Sequence, residues 1–100
     1  MGQIGNDRKI ETKSFFKGKL RSVGPIGADG LKRYTVGIFL PRQYEFTADT
    51  RGETIVIVDG TCTINGQVLK AGEKIFISGG EKVVIEATET CAYFCWFGQR

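Results

Sequence analysis

Glycine-bearing turns interrupt this chain too often for helices to form. VDG (58–60), NG (65–66), KAGE (70–73) and SGGE (78–81), with GADG (27–30) upstream, separate runs rich in Val, Ile, Thr and aromatic residues. Such turns are of the hairpin kind. No window holds an apolar period of 3.6 residues for ten residues, so the pattern argues against a helical core. The spacing predicts strands at 15–23, 32–40, 43–47, 53–58, 61–66, 67–71, 74–78, 82–87 and 90–97. Many short, closely spaced strands define an all-β sandwich or barrel. At 100 residues the chain makes one domain with a modest core. Residues 1–13, MGQIGNDRKIETK, are polar and aperiodic and are expected to form a tail. The barrel domain is expected over 14–100.

Alternation within the last strand adds detail. In CAYFCWF, Cys91, Tyr93, Cys95 and Phe97 share one face while Ala92, Phe94 and Trp96 share the other. Both faces are apolar, so the strand is expected to be covered on both sides, one lining the barrel and one meeting a second sheet or subunit. TIVIV (54–58) has the same character. A small barrel with an apolar outer patch predicts a homodimer.

The net charge of +3 is mild, and the basic residues are mixed with acids from Arg8 to Arg100. That scatter gives no basic stripe for nucleic acid. The apolar runs TIVIV and YFCWF are too short to span a bilayer, so no membrane association is expected. No charged segment followed by an apolar one opens the chain, and the expected compartment is the cytoplasm. Three cysteines cannot all pair within one chain. In an extended run, Cys91 and Cys95 would have Cα atoms roughly 13 Å apart, about twice the reach of a disulfide. Cys62 can meet one of them across strands, but free buried thiols are expected. There is no histidine, and dispersed cysteines make a poor metal signature, so no metal is expected.

The segment LPRQYEF (40–46) alternates Tyr44 and Phe46 with Gln43 and Glu45. Gly37 precedes it, and Glu53 and Gly60 follow with E-x6-G spacing. Gly72 and Ser78-Gly79-Gly80 come later. This framework resembles the two motifs of cupins, in which paired inward histidines hold a metal. Here Gln43, Glu45 and Val83 stand at the histidine places. Two registers remain open: Gln43 and Glu45 inward as those histidines are, or Tyr44 and Phe46 inward.

A second resemblance is more specific. FFKGKLRSV, YTVGIFLPRQYEF, the E-x6-G segment, KAGEKIFI and Tyr93-x-Cys95 together resemble the bacterial pyrimidine/purine nucleoside phosphorylases, a small cupin-fold family once classed as a domain of unknown function. The likeness runs from Phe15 to Phe97. Phe39 stands where methionine is common, Arg42-Gln43 replaces Gly-Glu, and Ile77-Ser78 replaces Val-Pro. The recurrence of Y-x-F in the family favours the aromatics inward.

The resemblance implies a cupin-like jelly-roll barrel without metal ligands. It also implies phosphorolysis of purine and pyrimidine nucleosides to free base and ribose 1-phosphate, with phosphate as co-substrate and no cofactor. Such a reaction needs a flat clamp for the base, negative charge near an oxocarbenium-like sugar, and an anion site. Phe39, Tyr44 and Phe46 are the stacking candidates, because any base has a π face. Glu53 and Glu45 are the catalytic candidates. Arg51 and Arg33, with Arg42 a further possibility, are the phosphate candidates, guanidinium donors matching oxyanion geometry. The rival roles are ordinary: aromatics filling a core, Glu53 capping a turn or pairing with Arg51, arginines in solvent. A metal-free cupin that binds a nucleoside or sugar without catalysis is the alternative.

Overall fold

In the computed structural model, residues 10–25, 31 and 33–98 are described, the side chains of residues 10–13 and 25 excepted. The GADG turn expected at 27–30 and residues 1–9 lie outside the described residues. The described chain forms ten strands: β1 (Ile10–Phe15), β2 (Leu20–Pro25), β3 (Tyr34–Phe39), β4 (Arg42–Thr47), β5 (Glu53–Asp59), β6 (Thr61–Ile64), β7 (Gln67–Lys70), β8 (Lys74–Ile77), β9 (Lys82–Ala87) and β10 (Cys91–Phe97). Strand β1 thus starts inside the stretch read as a tail. Two antiparallel sheets result, in the orders β1-β2-β3-β10-β5-β8 and β4-β9-β6-β7.

One expected strand is two. The run 15–23 turns back on itself, pairing Phe15 with Leu20 across residues 16–19. Phe16, Lys17 and Gly18 take φ of 54°, 56° and 86°. Left-handed conformations are unusual for the first two residue types. The NG turn behaves as its sequence dictates: Asn65 and Gly66 have φ of 49° and 83° and close the β6–β7 hairpin.

The alternation of each strand sets what is buried. Tyr44, Val83, Ile85, Ile64 and Leu69 from the smaller sheet meet Phe39, Ile55, Ile57, Cys91 and Tyr93 from the larger one. Tyr44 is 0 % exposed and joins the layers. Its ring lies 5.8 Å from that of Phe39 and 5.1 Å edge-on from that of Phe16. Its hydroxyl reaches the carbonyls of Leu40 and, at 3.0 Å, Lys19. That contact ties β4 to the β1–β2 turn.

Strand β10 sits between β3 and β5. Its Cys91, Tyr93 and Cys95 face the core, whereas Ala92, Phe94 and Trp96 are only half-buried on the outer side. There they adjoin exposed Tyr34, Val36 and Ile38 of β3 and Val23 of β2. Among the described residues, one face of β10 is covered and the other is left as an apolar surface. All three cysteines are free and buried. Burial pushes the Cys62 thiol up to about 12. Among the described residues no helix is long and apolar enough to cross a membrane.

Candidate functional site

Between the sheets lies a cavity of about 330 Å³, within the usual size for small-molecule sites. Its walls are largely aromatic and aliphatic, with Phe39, Phe46, Phe97, Ile55 and Ile85 among them. Phe39 is buried and stacks on Tyr93, the ring centroids 5.5 Å apart and 12° from parallel. Phe46 is half-buried. The register question is thereby answered: Tyr44 and Phe46 point inward, and Gln43 and Glu45 are exposed.

Polar groups cross the floor of this cavity in a line. Ser22 on β2, Thr35 on β3, Tyr93 and Cys95 on β10, and Glu53 on β5 all line it, on four strands that are neighbours in the sheet. The Tyr93 hydroxyl lies 3.4 Å from the Arg21 carbonyl, and the Thr35 and Ser22 side chains partly offset the effect of burial on its pKa. Cys95 Sγ donates to Glu53 Oε1 at 3.7 Å. Burial pushes the Tyr93 hydroxyl up to about 12 and raises the Cys95 thiol further.

Glu53 is 8 % exposed. The turn before it explains how a carboxylate comes to be there. Asp49 Oδ1 accepts from the Arg51 backbone N–H and side-chain Nε, each at 2.9 Å. Gly52, at φ 89°, then reverses the chain. A Cβ on Gly52 would meet the Phe76 ring at 2.8 Å. Glu53 Oε2 accepts the Asp49 N–H at 2.7 Å, closing the turn from inside. Burial raises the Glu53 pKa, an effect partly offset by that hydrogen bond. Its neighbour Asp49 is held below the usual carboxylate range by the hydrogen bond from Arg51. Glu53 thus caps its turn and also faces the cavity. Of the two rival roles, capping the turn is the one seen, and the ion pair Arg51 makes here is with Asp49.

The other candidates divide. Glu45 lies outside the cavity, 2.7 Å from Lys82 in an exposed ion pair. Its position on β4 alternates with those of Tyr44 and Phe46, which places it on the solvent face. Tyr44 does not line the cavity; its ring is spent on the core and its hydroxyl on backbone carbonyls. Arg51 and Arg33 do not line the cavity either, but the Arg51 side chain and the Arg33 backbone adjoin one of its walls. The Arg51 guanidinium lies 4.9 Å from the Phe97 ring centre, and the Phe97 N–H donates to the Arg33 carbonyl at 3.1 Å. Phe97 in turn pairs with Glu53. These residues therefore meet at one end of the barrel. Arg42 stacks over Phe16 and Tyr44, 5.0 and 5.4 Å from the ring centres. Among the described residues lining the cavity, none is basic.

Ser22, Thr35, Tyr93 and Cys95 were not among the site residues expected from sequence. Parity was the available signal: Thr35 shares its face with Phe39, and Tyr93 and Cys95 share theirs with Cys91.

Two antiparallel jelly-roll sheets around an aromatic cavity with a polar floor define a small cupin. The chain belongs to the pyrimidine/purine nucleoside phosphorylase family, whose model matches residues 10–97. Solved structures agree on the fold. A protein of unknown function from Vibrio parahaemolyticus superposes with a TM-score of 0.77 at 22% identity, covering 88% of this chain and 97% of that one. A protein of unknown function from Acinetobacter sp. ADP1 gives 0.74 at 23% identity, with 89% and 92% covered. The cupin domain of CENP-C from Drosophila melanogaster gives 0.69 at 14% identity, with 89% and 75% covered. No curated protein matches the chain.

Proposed function

We propose that the protein is a nucleoside phosphorylase that cleaves purine and pyrimidine nucleosides with phosphate. The carrying observation is Glu53, a carboxyl group buried in a cavity of aromatic walls in a chain of this family. The base lies against Phe39 and Phe46, a clamp that tolerates either ring size. A phosphate oxygen bonds to C1′ as the N-glycosidic bond breaks. The bonding pair leaves with the base nitrogen, and the proton of hydrogen phosphate ends on the base. The sugar carries positive charge in between, which ionised Glu53 offsets at low cost in reorganisation. Phosphate enters at the Phe97 end, beside the Arg51 guanidinium. Arg51 must exchange Asp49 for phosphate to take part.

The lack of a basic group among the described lining residues favours one second reading, a metal-free cupin that binds a nucleoside without cleaving it. Incubating the protein with uridine or inosine, with and without phosphate, and separating the products by chromatography decides between them. Phosphorolysis requires base release that depends on phosphate. Phosphate-independent release makes the protein a hydrolase, and no release from several nucleosides leaves the binding module.

A homodimer belongs to the same proposal. Exposed Val23, Tyr34, Val36 and Ile38 form a continuous apolar face with β10, and a second copy offers an equally apolar surface. Sedimentation equilibrium is expected to give twice the chain mass, and Val36→Lys to shift it toward the monomer. A wild-type monomer at micromolar concentration contradicts this.

A further inference from the structure

We propose that the hydroxyl groups of Ser22, Thr35 and Tyr93 form the sugar subsite of the cavity, gripping the adjacent ring hydroxyls of a pentose. The inference rests on the nucleoside reading above and assigns a part of the site that neither the aromatic clamp nor Glu53 requires.

The cavity walls are mostly apolar, and burying hydroxyls among them is unfavourable unless partners are supplied. Yet Ser22, Thr35 and Tyr93 are buried and gathered on one patch of its surface. Each hydroxyl offers one donor and two acceptor sites. All three line the cavity, and the Arg21 carbonyl that the Tyr93 hydroxyl meets is distant at 3.4 Å. Lining the cavity, these hydroxyls can offer donors and acceptors to a ligand there. Cys95 and then Glu53 continue the line, the latter adding a carboxylate acceptor. A pair of neighbouring ring hydroxyls both donates and accepts, and so complements a row of hydroxyls ending in a carboxylate. A free base has no such pair.

The placement is rigid. Tyr93 is held flat against Phe39. Its hydroxyl sits over Gly37, where an added Cβ would approach it to 2.8 Å and the Arg21 carbonyl to 2.0 Å. A glycine at 37 thus lets β2 and β3 close tightly beneath the tyrosine tip. Thr35 lies directly opposite Cys95 in the sheet, between the two ends of the line. The geometry puts the sugar across β3 and β10 and leaves the base to the phenylalanine wall.

Calorimetric titration of uridine and of uracil, without phosphate, tests this on the wild type and on Thr35→Val, Thr35→Ser and Tyr93→Phe. Loss of one hydroxyl is expected to weaken uridine binding about 5- to 10-fold, with uracil binding unchanged within twofold. Thr35→Ser is expected to bind as the wild type does. Uridine affinity unaltered in Thr35→Val and Tyr93→Phe overturns the proposal, as does an equal loss for uridine and uracil, or a wild type that binds no uridine. Where uracil binds too weakly to measure, Thr35→Val and Thr35→Ser must still differ about fivefold for uridine. Because binding needs no turnover, the two readings fail separately. A protein that binds uridine through these hydroxyls without cleaving it keeps the subsite and loses the phosphorylase. One that cleaves uridine with unaltered binding in the variants does the reverse.

Discussion

Glu53→Gln is expected to lower the rate of phosphorolysis about 100-fold or more near neutral pH while raising the melting temperature. The two effects have one origin. A preorganised charge facing a developing cation is worth roughly two to three orders of magnitude in rate, and amide cannot replace it. The same carboxylate is stabilised poorly by its surroundings: burial raises its pKa, and the hydrogen bond from the Asp49 N–H offsets only part of that. With its folded pKa above the unfolded value, Glu53 binds a proton more tightly in the native state. The stability this brings is present below the unfolded pKa and is lost as pH rises through the folded one. Glutamine removes that dependence. The stability gain of the variant should therefore be largest at alkaline pH and shrink toward pH 4, as thermal melts across pH will show. If, as proposed, phosphorolysis needs ionised Glu53, wild-type activity should rise with pH through a midpoint above the usual carboxylate range. A variant that keeps full activity removes Glu53 from the chemistry.

Tyr44→Ala should be the most damaging change to stability, at about 3–5 kcal/mol for a buried aromatic truncated to alanine. The ring is wholly buried between the sheets and touches both Phe39 and Phe16. Against a total of about 5–15 kcal/mol for a small domain, this loss brings the chain near unfolding. Tyr44→Phe separates packing from hydrogen bonding. It keeps the ring but takes the hydroxyl donor from the Leu40 carbonyl and leaves the Lys19 carbonyl with only the Leu40 N–H, a cost of about 1–2 kcal/mol. That corresponds to roughly 5–15 °C in a domain of this size. Because Tyr44 does not line the cavity, its KM for nucleoside should match the wild type. A raised KM at unchanged stability would return Tyr44 to the binding site.

The strands were legible wherever glycine marked the reversal and alternation marked the buried face. The β1–β2 turn was not, because Phe16 and Lys17 adopt positive φ without being glycine or asparagine. Gly18 is the one turn signal in FFKGK, and a lone glycine there does not distinguish the turn from a continuous strand. The pattern Q-Y-E-F left two registers open for β4; with Tyr44 buried, parity fixes Glu45 on the outside. A cross-strand partner, Lys82, then completes an exposed pair that sequence distance conceals. Arg51 is satisfied by Asp49 only two residues away, a local turn bond that a search for distant anion sites overlooks. The polar floor was the hardest part to read. Its members come from four strands and acquire meaning only once β2, β3, β10 and β5 lie side by side. Singly, Ser22 and Thr35 look like ordinary strand residues.

Phosphorus NMR of the wild-type protein with inosine and inorganic phosphate is the most direct test of the proposed activity. Phosphorolysis predicts loss of the phosphate resonance and growth of a ribose 1-phosphate signal, matched mole for mole by hypoxanthine. Hypoxanthine appearing with phosphate unconsumed, or no hypoxanthine at all from the folded protein, would contradict it.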